Sequence, residues 1–154
     1  MSDAGTVRIE ILREFSPEAG TALRNLVSQL GKNHQELTDD AIKEMLSYPT
    51  HNIFIARDIQ TNFIAGMMLC MVYRIPYVRK GYLDDLVVDE NFRNRGIATL
   101  LFQSALAYAK ENGAAYVDFT SRPQRDAGNT LYEKLGFKKR DTNLYRIIYN
   151  YGEV

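Results

Sequence analysis

With one cysteine and two histidines among 154 residues, the chain excludes several kinds of chemistry by what it lacks. Cys70 has no internal partner for a disulfide, and His34 and His51 beside it give no metal-ligand spacing, so neither a disulfide scaffold nor a metal centre is expected. All three are read as structural or incidental. A charge excess is missing too, since 19 Lys and Arg face 19 Asp and Glu. Without a long-range positive field, neither nucleic acid nor an anionic membrane is an expected partner. The longest apolar run, Phe63 to Tyr73, contains a glycine and ends at Arg74, short of the roughly 20 residues that span a bilayer. Met1-Ser2-Asp3-Ala4-Gly5 lacks a basic segment followed by an apolar stretch, so no secretion signal is read and a cytoplasmic location is expected. Two phosphate motifs are also absent: Gly-x-x-x-x-Gly-Lys-Ser/Thr, and Gly-x-Gly-x-x-Gly after a strand.

What is present suits one hydrophobic core. The chain is 45% apolar and 25% charged, and its length fits a single domain spanning residues 1–154. Alternating Val7, Ile9 and Ile11 predict a strand, and Ser16-Pro17 an N-cap with proline at the first helical position. A helix carries Leu23, Leu26, Val27 and Leu30 up to Gly31, and Thr38 caps a second with Ile42, Met45 and Leu46 before Pro49. Ile53 to Ala56 and Phe63 to Val72 form a hairpin around Gln60-Thr61-Asn62. A polar, aromatic loop, Arg74 to Gly81, leads into a strand from Tyr82 to Val88. Ile97, Leu100, Leu101, Ser104, Ala105 and Tyr108 share one face of a helix ended by Gly113. A strand Tyr116 to Thr120, a helix Asp126 to Leu135 ended by Gly136, and closing strands at Phe137 and Leu144 to Tyr149 complete the chain. The order predicts an α/β fold, a mixed sheet with helices on both faces.

The strongest chemical signal is the strand Leu83-Asp84-Asp85-Leu86-Val87-Val88, a turn at Asp89 to Phe92, and Arg93-Asn94-Arg95-Gly96-Ile97-Ala98 opening a helix. A helix N-terminus presents unpaired N–H groups and the positive end of the macrodipole, which suits a phosphate or pyrophosphate. Gly96 removes a side chain where an anion would approach, and Arg93 and Arg95 can add charge-assisted hydrogen bonds.

The stretch Arg93 to Ala98 resembles the acyl-CoA pyrophosphate loop of the GNAT superfamily of N-acetyltransferases, Gln/Arg-x-x-Gly-x-Gly/Ala. Further on, Gly128-Asn129-Thr130-Leu131-Tyr132-Glu133-Lys134-Leu135-Gly136-Phe137 resembles the same family's Ala-x-x-Leu-Tyr-x-x-x-Gly-Phe segment. The two in order, with suitable spacing, are more specific than either alone. The resemblance implies a single-domain GNAT-like fold and acetyl-CoA as donor. It also implies strand amides of Leu86, Val87 and Val88 pairing with pantetheine, and Tyr132 beside the thioester sulfur. Two positions depart from the pattern. Arg125 stands where many members carry an Asn that touches the cofactor, and Gly128 replaces the usual Ala. Arg122 or Arg125 then reaches a cofactor phosphate or pairs with Asp118 or Asp126, while Arg125 and Asn129 are counted with the cofactor-binding residues.

Acetyl transfer to an amine needs an unprotonated nucleophile and an exit for the thiolate. An amine near pKa 10 is almost wholly protonated at neutral pH, so a carboxylate must take its proton, and Asp84 and Asp85 are the candidates. Strand alternation points them to opposite faces, leaving one as the base. Tyr132 is the acid, best described as a hydrogen bond that strengthens as charge builds on sulfur. The acceptor is a small-molecule or peptide amine; the basic aromatic stretch Tyr73 to Tyr82 is either its recognition loop or an ordinary connection. A non-catalytic acyl-CoA-binding or regulatory module is the alternative, and a homodimer through Leu144 to Tyr149 is compatible with either.

Overall fold

The structure, a computed structural model, describes residues 6–31 and 35–149. Met1 to Gly5 and His34 lie outside them. The chain divides into two compact units at Phe119/Thr120.

The first unit is built on a mixed sheet in the order β1-β2-β3-β4-β5, comprising β1 (Val7–Leu12), β2 (His51–Asp58), β3 (Ile64–Ile75), β4 (Val78–Val88) and β5 (Val117–Asp118). The first four pair antiparallel. β5 runs parallel to β4 and pairs only at Gly81 and Tyr82. Gly81 is required there, because a Cβ would stand 2.9 Å from the Val117 side chain. Helices α1 (Pro17–Ser28), α2 (Asp39–Ser47) and α3 (Ile97–Glu111) complete the unit.

Side-chain alternation sorts these helices onto two faces. Ile53 and Ile55 of β2 share a buried cluster with Ala19, Leu23 and Leu26 of α1 and Ile42 of α2. Phe54, between them, turns to the other face and meets Tyr108 of α3 edge-on, ring centroids 5.6 Å apart. Cys70 lies on that second face, fully buried, its Sγ donating to the Ala105 carbonyl at 3.8 Å. Burial pushes this thiol up to about 11. The expected mixed sheet with helices on both faces is the observed fold.

Local chemistry explains where α1 and α2 begin. The Ser16 side chain accepts from Ala19 N at 3.1 Å, and Thr38 from Ala41 N at 3.2 Å. Pro17 at the first helical position has no N–H to satisfy.

Two expectations are corrected. Arg74 to Gly81 is not a loop. β3 and β4 continue into a tight hairpin with Pro76-Tyr77 at its tip, pairing Tyr73 with Lys80, Arg74 with Arg79 and Ile75 with Val78. Long amphipathic side chains sustain this end of the ladder, with Lys80 Nζ 5.9 Å from the Tyr73 ring centroid and bonded to Asp118 at 3.1 Å. The closing strands at Phe137 and Leu144 to Tyr149 are also absent; among the described residues no strand follows β5. Leu144, Tyr145 and Ile147 stand exposed, and an apolar run without a paired edge does not make a strand. The second unit holds one described helix, α4 (Asp126–Lys134). No described helix is long and apolar enough to cross a membrane.

Candidate functional site

The first unit carries the end of β4, the turn after it and the start of α3. Strand β4 loses its regular ladder at the paired aspartates. Met67 pairs with Val87 and Leu69 with Asp84, so Asp85 and Leu86 stand opposite the single residue Met68. Asp85 adopts a left-handed φ of 49°, and its N–H donates to Asp84 Oδ1 at 3.0 Å. Strict alternation therefore does not govern Asp84 and Asp85; a β-bulge re-aims the chain between them. Both are exposed. Because β5 pairs only with Gly81 and Tyr82, no described strand runs along that edge of β4 beside Leu83 to Val88.

After Val88 the chain makes a single 3₁₀ turn, Glu90–Phe92. Asp89, 7% exposed, is its anchor. Its Oδ1 accepts from the main-chain N of Asn91 at 3.0 Å and from Asn91 Nδ2 at 3.1 Å, while Oδ2 accepts from Gln29 Nε2 at 3.1 Å. Burial works against the Asp89 carboxylate, but the bonds from Gln29 and Asn91 and the charge of Arg93 outweigh it and hold its pKa below the usual value. Arg93 Nε donates to Val88 O at 3.1 Å. Arg95 donates to Asn91 O at 2.9 Å and lies 4.9 Å from the Phe92 ring centroid, with Phe63 stacked on the same Phe92 at 5.5 Å. Both arginines thus brace the turn through main-chain carbonyls.

Helix α3 begins at Gly96, which has φ 80° and no side-chain cap; its first turn contains no acid. The first helical bond runs from Leu100 N to Gly96 O at 3.2 Å, so the amides of Ile97, Ala98 and Thr99 precede it. A Cβ built on Gly96 would meet nothing within 4 Å. Uncapped amides, the positive end of a helix of 15 residues and open space in front of them fit a pyrophosphate group. Asn94, just before, also has a left-handed φ of 62°, a conformation that Asn tolerates better than most residues.

In the second unit, α4 carries Tyr132, half-buried. Gly128 one turn earlier makes room for it; a Cβ there would lie 3.3 Å from Tyr132 Oη. Asn129 Nδ2 donates to the carbonyls of Arg122 at 3.3 Å and Pro123 at 3.2 Å, fixing the turn that precedes the helix. Arg125 is the N-cap residue without a side-chain cap bond, and it is exposed. Asp118, one of the partners considered for Arg122 and Arg125, is engaged by Lys80 within the first unit. Burial works against the Lys80 ammonium, and the hydrogen bond to Asp118 together with the charge interactions with Tyr73, Asp118 and Tyr116 outweighs it, raising its pKa. Gln29 and Phe92 escaped the sequence reading. Gln29 sits 60 residues from Asp89, and no local spacing signals such a bond.

A family model described as the acetyltransferase (GNAT) family matches residues 11–137. The chain belongs to this family. As a GNAT protein it is an N-acetyltransferase, an enzyme that moves an acetyl group to an amine. N-alpha-acetyltransferase 30 of Schizosaccharomyces pombe is 30% identical over 140 residues, which is 81% of this chain and 92% of that protein. Among crystal structures, glucosamine-6-phosphate N-acetyltransferase from Arabidopsis thaliana has a TM-score of 0.76 at 19% identity, covering 92% of this chain and 99% of that one. An aminoglycoside N-acetyltransferase in complex with CoA has a TM-score of 0.72 at 19% identity, covering 92% and 95%. At such identities these two structures show the GNAT fold alone.

Proposed function

We propose that this GNAT enzyme takes its acetyl group from acetyl-CoA, that its chain works as one acetyltransferase domain, and that the acceptor is a primary amine. The observation that supports the donor is the start of α3, where the uncapped amides behind Gly96 and the open space before them suit a pyrophosphate. Arg95, Gly96, Ile97 and Ala98 hold it through main-chain N–H groups. Arg93 and Asn94 shape the approach, and Arg125 and Asn129 serve the cofactor from α4. The main chain of Leu86, Val87 and Val88 pairs with pantetheine along the edge that β5 leaves.

The donor supplies an activated thioester, and the side chains manage protons. Asp84 or Asp85 takes one from the acceptor ammonium, directly or through water, which frees the nitrogen lone pair to attack the acetyl carbonyl. As the carbon–sulfur bond breaks, Tyr132 donates a hydrogen bond to the departing sulfur. A phenol is in general a weaker acid than a thiol, so the bond strengthens as charge grows and protonation completes on departure.

The yeast relative is an N-alpha-acetyltransferase, which puts peptide α-amines first among acceptors to try. An α-amine has a pKa near 8 and is about one-tenth free at pH 7, a smaller demand on the base than a lysine makes. The test is incubation with acetyl-CoA and a panel of peptides, aminoglycosides and glucosamine 6-phosphate, followed by mass spectrometry and free-thiol release. Acetylation of one class with matching thiol release supports the proposal; no product, together with no CoA binding in calorimetry, overturns it. A cytoplasmic location is proposed from the sequence alone. A homodimer through the exposed apolar residues of 144–149 is compatible with the activity and is read by sedimentation.

A further inference from the structure

We propose that Gln29, at the far end of α1, is a positioning residue that holds the donor loop in its binding shape; this rests on the acetyl-CoA reading of that loop. Gln29 is the C-cap residue of α1 and is half-buried. Both ends of its amide are used. Nε2 donates to Asp89 Oδ2 at 3.1 Å, and Oε1 accepts from Glu90 N at 3.0 Å and from Arg93 Nη2 at 3.3 Å. The loop closes on these bonds, because Asp89 Oδ1 holds Asn91 and Arg93 Nε holds Val88 O. One side chain therefore fixes three loop residues that lie 60 to 64 positions away in the chain.

The position demands a group that donates and accepts within one short planar unit. An amide does both. A Glu would set its carboxylate against the buried Asp89 carboxylate, and a Met would fill the space without making any of the three bonds. The bonds matter for binding because a main-chain amide cannot be re-aimed by a rotamer change; it points where the backbone puts it. An anion held by amides is bound tightly only when the loop is ordered beforehand. Gln29 directs its polar atoms into the loop, so its effect is on the affinity for the donor and not on the transfer step.

The test is Gln29→Met in the full chain, with three measurements. CoA affinity by calorimetry is expected to fall about tenfold, the scale of about one net hydrogen bond. KM for acetyl-CoA should rise in parallel while kcat at saturating donor stays within about twofold of the parent. Hydrogen exchange in the ligand-free protein should speed up at the amides of residues 90–96 and stay unchanged in β2 and β3. A lower melting temperature with unchanged CoA affinity and unchanged exchange in that loop would make Gln29 a purely structural residue and overturn the proposal. Should Gln29→Met fold poorly, Gln29→Glu replaces it, with the same expected loss of affinity and the same overturning result. A parent protein that binds no CoA fails at the first measurement, which overturns the donor reading and leaves the loop with nothing to position.

Discussion

Helices α1 and α2 close their own N-termini, whereas α3 leaves its N-terminus open. Ser16 and Thr38 each accept a main-chain amide, and the first turns carry Glu18 in α1 and Asp39 and Asp40 in α2. α3 starts at a left-handed glycine without a side-chain cap or an acid in its first turn. A side-chain cap contributes about 1 kcal/mol, so the first two helices use their exposed amides for stability, while the third forgoes that stabilisation and leaves its first amides uncapped. In the proposed donor site the same dipole that serves the fold in α1 and α2 would serve the ligand in α3.

The severest way to break the contrast is to give α3 what its neighbours have. Gly96→Asp places a carboxylate where the proposed site would hold the pyrophosphate, and calorimetry should find no measurable CoA binding while circular dichroism keeps its native form. Asp tolerates the left-handed φ of 80° at a cost of about 1 kcal/mol. Undiminished affinity would show that the open end of α3 is not the donor site.

Tyr132→Phe sharpens the division from the side of chemistry, since it should leave the α3 amides and CoA affinity untouched. Turnover should fall by a factor on the order of 10² to 10⁴, and by less if water substitutes for the hydroxyl. An unchanged single-turnover rate returns Tyr132 to a packing role.

The bulge makes the two aspartates unequal, and Asn tests them separately. At the position facing the acceptor, Asp→Asn should lower the rate most near neutral pH and lose less as alkali frees the amine. At the other, the rate should match the parent. Asn accepts the φ of 49° at position 85 about as well as Asp does, so Asp85→Asn reports on the carboxylate and not on the backbone. Parent rates for both variants across the pH range would exclude either residue as the base.

The smallest effect belongs to the closed helices. Ser16→Ala and Thr38→Ala should each lower unfolding stability in urea by about 1 kcal/mol with CoA affinity unchanged. A shift in CoA affinity on loss of these caps would mean that the three helix starts are not independent.

The amino-acid sequence disclosed the parts of the molecule that depend on near neighbours. Ser16-Pro17 and Thr38 announce helix starts because capping bonds reach only three residues. Gly96 and the apolar face of α3 are legible for the same reason. The hairpin tip at Pro76-Tyr77 was hidden because Tyr73, Arg74, Arg79 and Lys80 carry loop-like polarity, while the ladder that orders them is a pairing between two strands. Leu144 to Tyr149 misled in the opposite direction, since an apolar run marks a segment able to pair without supplying the partner. The bulge at Asp85 and the reach of Gln29 to Asp89, Glu90 and Arg93 are non-local: each depends on a register or a distance that only the folded chain sets. The local turns and helix starts were therefore more legible than the contacts that hold them.

Cys70, the chain's one cysteine, has a practical consequence for measuring any of this. Its thiol is fully buried and pushed up to about 11, so at pH 8 only about one in a thousand is thiolate even before access is considered. A thiol-reactive dye that follows CoA release should therefore see almost no background from native enzyme. Unfolding exposes the same sulfur and restores an ordinary thiol, so the dye also counts denatured molecules. A slow, substrate-independent rise in signal during a long assay would mark loss of enzyme and not turnover.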